Sequence, residues 1–309
     1  MRLSVLLALT VLWGGLENTY AQDAAPDASR ITASETPTLI APGVVSTAMG
    51  EFNPALDLRR NELYFMRRTP GQFDYTLYVS RFEGARWSEP EVVSFSGQYR
   101  DDAPYLSPDG QQLFFDSRRP ADGFDGTSIS LWRVVRDSLG WSGPEFLRGP
   151  SVSAPETDKD GEDEFGPAVD ATGTLHFYSF RRPFRGGARY IAQPEAYEEV
   201  ELERTLPDPS AQTFVSYLYL SPDGRTAIMD GLASGRRDSD LYFSCRGASG
   251  TWSAPRPLPV VNTNASEGGG WLTADGSLLL FGSSRNATRD SGNLYMVSTS
   301  SLPVPCSTE

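Results

Sequence analysis

Apolar residues along this chain fall into short runs separated by Gly-, Pro- and Asp-containing turns, and the runs recur as a unit. Ala103-Pro104-Tyr105-Leu106 leads through Ser107-Pro108-Asp109-Gly110 into Leu113-Phe114-Phe115, and the unit closes on polar Ser117-Arg118-Arg119. Tyr217-Leu218-Tyr219-Leu220 followed by Ser221-Pro222-Asp223-Gly224 is a second copy. Trp271-Leu272-Thr273-Ala274-Asp275-Gly276, Pro167-Ala168-Val169-Asp170 and Pro54-Ala55-Leu56-Asp57 mark three more divergent ones. With Asp57, Ser107, Asp170, Ser221 and Thr273 as the equivalent position, the spacings are 50, 63, 51 and 52 residues. A period of that size signals a repeat architecture, in which each unit buries its apolar face against its neighbours.

After the first two runs each unit offers a third, at residues 76–80, 130–134, 189–192, 240–244 and 293–297, aromatic or β-branched as strands are. A fourth strand is expected to open at Trp87-Ser88-Glu89-Pro90, Trp141-Ser142-Gly143-Pro144 and Trp252-Ser253-Ala254-Pro255. Proline near its start suits an edge, which can spare an N–H. Residues 37–47 resemble the segment that follows the fourth unit, while the last unit ends one strand short. The expected fold is therefore all-β: a five-bladed β-propeller of four-stranded antiparallel blades, closed by an N-terminal strand. The expected boundaries are a signal peptide at 1–21, a linker at 22–36, the propeller at 37–301 and a tail at 302–309.

Met1-Arg2, the apolar run that follows and the small residues of Thr19-Tyr20-Ala21 have the form of a secretory signal cleaved after Ala21. A periplasmic or secreted location is expected, without a membrane span. The net charge of −13 leaves no electrostatic footprint for a phosphate backbone and excludes nucleic acid as a partner class. An envelope or extracellular protein, or a glycan, is the expected partner of a monomer. Cys245 and Cys306 are the two cysteines, and in an oxidising compartment they are expected to form a disulfide.

The Ser-Pro-Asp-Gly turns and the Ser-Arg-Arg exits resemble the WD40-like β-propeller (PD40) repeats of the TolB-like family, over about residues 45–300. The resemblance implies a propeller, and it carries little about function, because such repeats serve several unrelated roles. A propeller is a rigid ring whose rim loops vary freely, so the leading expectation is a binding or scaffold protein engaging another protein.

Glu51, Asp101, Glu164 and Glu267 occupy the same place in four repeats, and Arg67, Arg118, Arg181 and Arg285 end the second strands. Acid matched by arginine, repeat after repeat, is expected to form ion pairs at the channel rim. The alternative is catalytic: carboxylates at suitable separation serve glycoside hydrolysis as general acid and as base or nucleophile, making the chain carbohydrate-active. Asp158, Asp160 and Asp163 lie in an acidic Gly-containing loop expected to be a solvated surface loop, with calcium binding as the alternative, and no cofactor is otherwise expected. His176, the sole histidine, is expected to be a hydrogen-bonded structural residue, since no nucleophile motif accompanies it.

Overall fold

Each repeat folds as one antiparallel sheet, and five sheets stand around a central channel. The computed structural model describes residues 31–68, 74–151, 163–180, 188–194, 197, 199–206, 217–232, 238–286 and 291–306. The inner strands are Glu51–Asp57, Asp101–Leu106, Glu164–Val169, Leu218–Leu220 and Glu267–Leu272. They touch in ring order, with the fifth against the first. The second strands carry the apolar residues that pack between sheets, including Phe65, Phe115, Phe177, Met229 and Phe281.

Ring closure is made by the N-terminal segment. Thr38–Leu39 pairs antiparallel with the third strand of blade five, Thr38 opposite Met296 and Leu39 opposite Tyr295, and so supplies that blade's outer strand. The chain then crosses to begin blade one, which ties the first blade to the last.

The first turns explain why Ser-Pro-Asp-Gly recurs. Asp109 Oδ1 accepts from the Ser107 hydroxyl and the Gln111 N–H, the Gly110 N–H reaches Ser107 O, and Gly110 takes φ +64°. Asp223 and Asp275 do the same in blades four and five. Without the motif, Asp57 and Asp170 organise the turns of blades one and three by accepting from following N–H groups.

The Trp-Ser-x-Pro segments differ from the expectation that they open the fourth strand. Arg86–Trp87 and Gly140–Trp141 are short returns on the third strand, and outer pairing resumes after the proline, at Glu91–Val92, Glu145–Phe146 and Arg256–Pro257. At the break, Ser88, Ser142 and Ser253 each accept a third-strand N–H on the side-chain oxygen, from Arg81, Val135 and Cys245. The serine satisfies an N–H that the interrupted ladder would orphan.

Four of the inner strands share a bulge after their second residue, between Phe52 and Ala55, Asp102 and Tyr105, Phe165 and Ala168, and Gly268 and Trp271. The third residue there is left-handed: Asn53, Ala103, Gly166 and Gly269 have φ between 49° and 64°. The extra residue re-aims the strand where it faces the channel.

Candidate functional site

The four repeating acids are each at most 1% exposed, so none presents a carboxylate to solvent. Glu51 accepts from Arg67 Nε at 2.9 Å and from Thr47, and Glu267 accepts from Thr263, Ser283 and Arg285. Asp101 pairs with Arg119 at 2.6 Å, which corrects the expected partner Arg118: that side chain is exposed, whereas Arg119 is buried. Glu164 accepts from Ser179, and Arg181 lies outside the described residues. The guanidinium groups also donate to carbonyls of the segment entering the blade, Arg67 to Val44 and Val45, Arg119 to Phe95 and Arg285 to Val261. These groups fasten the crossing between blades rather than facing an open rim.

Of the calcium candidates, Asp158 and Asp160 lie outside the described residues, and Asp163 accepts the Ile129 N–H at 2.8 Å. Among the described residues no group of three metal-binding side chains converges. Cys245 and Cys306 form a disulfide.

Three other carboxylates escape reading from the repeat. Asp102 and Asp116 face each other across the first two strands of blade two, and Asp230 holds the place of Asp116 in blade four. All three are buried. Asp116 accepts the Gly166 N–H at 3.1 Å and Asp230 accepts the Gly269 N–H at 3.0 Å, so each satisfies the bulge of the next blade. Arg100 forks onto Asp102 Oδ2, while Asp102 Oδ1 and Asp116 Oδ1 have no hydrogen-bond partner. Burial pushes Asp230 up to about 8, against the pull of the Gly269 N–H. Burial, then the neighbouring Asp102, pushes Asp116 well up, and burial raises Asp102 despite Arg100. The Tyr217 hydroxyl is raised too, by burial and by all three acids. An aspartate in the middle of an apolar strand, twice in register, was the available signal.

The channel itself is filled by aromatic rings. Tyr105, Tyr219 and Trp271 occupy one repeat position, with Ala55 and Ala168 in the other two blades, and their ring centroids lie 5.0–6.3 Å apart. Tyr105 and Tyr219 therefore fill the channel rather than packing only between blades. Beyond them the strand ends open into a funnel walled by Leu56, Leu58, Leu106, Pro108, Leu220 and Pro222. The indole N–H of Trp271 has no hydrogen-bond partner.

His176 lies apart, between blades three and four. Its ring nitrogens meet Asp170 Oδ2 at 3.6 Å and Glu203 Oε2 at 3.4 Å, long contacts to two carboxylates that hold the expected structural histidine in place. Burial acts to lower its pKa, but the two carboxylates outweigh burial and hold it above the ordinary value.

The fold is that of the five-bladed β-propellers. No protein-family model matches the chain, and no curated protein matches it. Among solved structures, it is similar to the catalytic domain of the GH62 α-L-arabinofuranosidase of Coprinopsis cinerea, at 12% identity and TM-score 0.53, covering 87% of this chain and 99% of that one. It is also similar to the GH43 endo-arabinanase of Bacillus licheniformis, at 11% identity and TM-score 0.50, covering 82% and 96%. TolB of Acinetobacter baumannii aligns at 14% identity and TM-score 0.48, over 81% of this chain; the chain spans 52% of that protein's length. Likeness at these identities shows the fold alone.

Proposed function

We propose that this chain is an exported binding protein that engages another protein through the funnel at the turn end of its channel. The observation that carries the reading is the funnel: an apolar concavity over three channel-filling aromatic rings, held by a rigid ring. A partner's apolar side chain entering it removes surface from water on both sides. The four repeating acids, by contrast, are consumed in holding the blades. Affinity capture from envelope and culture extracts tests this, with Leu58→Glu and Pro222→Glu as controls. One protein recovered by the parent and lost with both variants is expected; recovery indifferent to the variants overturns the funnel.

A second reading, a carbohydrate-active protein, is favoured by Asp102, Asp116 and Asp230. Asp102 stands outside the repeat with Arg100 forked onto it, while burial pushes Asp230 up to about 8, so these acids sit in environments that push them apart. It no longer rests on Glu51, Asp101, Glu164 and Glu267. A glycan-hydrolysis screen with Asp230→Asn and Asp102→Asn decides it: turnover lost in folded variants supports this reading, and a silent parent ends it.

A further inference from the structure

We propose that the groove between blades three and four, built around His176, binds a small neutral polyol. Asp170 comes from the first turn of blade three, His176 from its second strand, Gln193 from the end of its third, and Glu203 from the end of its outer strand. Arg246 and Trp252, from the last hairpin of blade four, close the other side.

The polar atoms turned to this groove are unfinished. His176 is 7% exposed, and its ring nitrogens meet Asp170 and Glu203 only at 3.6 and 3.4 Å, long contacts short of good hydrogen-bond geometry. Asp170 Oδ1 is occupied by Thr172 and Thr174, and Glu203 Oε1 by Thr205 and Leu206, which leaves Oδ2 and Oε2 facing only the imidazole. Buried groups left in that state are costly, so a ligand that completes them gains what they lack.

Charge selects the ligand. Two carboxylates stand beside the imidazole and the Arg246 guanidinium, so an anion meets Asp170 and Glu203 and a cation meets Arg246. A hydroxyl suits both at once, accepting from a ring N–H while donating to a carboxylate oxygen. Two such hydroxyls on one small carbon frame reach both sides of the ring. The Trp252 ring offers an apolar surface to the frame's C–H face.

The sole histidine makes the test direct, because the full chain labelled at histidine nitrogen gives one imidazole signal set. Glycerol, myo-inositol, arabinose and glucose are titrated beside glucuronate and glucosamine. Saturable movement of the His176 signals with at least one neutral polyol, and not with the charged pair, is expected. Trp252→Ala should weaken that binding roughly tenfold or more, about 1.4 kcal/mol. Gln193→Ala, at an exposed position, should also weaken it and serves if Trp252→Ala fails to fold. No saturable shift with any neutral polyol, equal response to the charged pair, or binding indifferent to both variants overturns the proposal. Leu58→Glu should leave the titration unchanged, so failure of the funnel reading is read separately.

Discussion

Asp116 and Asp230 do the same structural task in neighbouring halves of the ring, each accepting the bulge N–H of the following blade. Their burial gives that task a pH signature. The folded pKa of Asp230, about 8, stands above its ordinary 3.8, so its contribution to stability is full below 3.8 and is lost as pH rises through about 8. Asp230→Asn should remove this slope: melting temperatures compared across that window should fall for the parent relative to the variant. His176 is raised as well, so its contribution is full below its ordinary 6.5 and lost as pH rises through the elevated value. Asp170, lowered to about 2 by His176 and Thr172 despite burial, and Glu203, lowered likewise, contribute above their ordinary values and lose this in acid. His176→Gln should therefore destabilise more at pH 6 than at pH 9, measured by thermal melting. At this scale the repeating acids were legible because they follow the period. Asp102, Asp116, Asp230 and Glu203 were not, because burial and distant neighbours, invisible in sequence, define their roles.

The inner strand is the element where local sequence and structure part. Its bulge recurs in four blades, yet the left-handed position is filled by Asn53, Ala103, Gly166 and Gly269, a set without a common signature. At Gly269 the approach of the neighbouring blade demands glycine. A Cβ on Gly269 would stand 2.9 Å from Asn53 Cα, at φ +61°, whereas one on Gly143 meets nothing within 4 Å and faces no φ penalty. Gly269→Ala is expected to cost about 1–3 kcal/mol or more, and Gly143→Ala to be neutral or slightly stabilising, as chemical denaturation would register. The first turns were readable in advance, since Ser-Pro-Asp-Gly carries its own hydrogen bonds and glycine. The Trp-Ser-x-Pro segments were readable as edges, but the serine's capture of a third-strand N–H depends on a ladder that only forms in the folded blade.

For the whole ring, stability depends on two closures remote in sequence. Deleting Pro37 to Thr47 removes the outer strand of blade five and the carbonyls of Val44 and Val45 that hold Arg67. The exposed edges should make the truncated protein aggregate, as size-exclusion chromatography would reveal. The disulfide pins the tail after blade five to blade four across a separation of 61 residues, with Cys306 N–H on Thr226 and Val304 buried. Replacing both cysteines by serine should cost about 4 kcal/mol in the chain-entropy view, read as a lowered denaturation midpoint. The sequence alone determined the all-β class, the period, the blade count and the closing strand, because each is a matter of local pattern repeated along the chain. Tertiary structure alone decided which arginine meets Asp101, that aromatic rings fill the channel, and that His176 meets Asp170 and Glu203. Those outcomes depend on side chains from different strands and blades arriving together, and no one-dimensional period encodes where they meet.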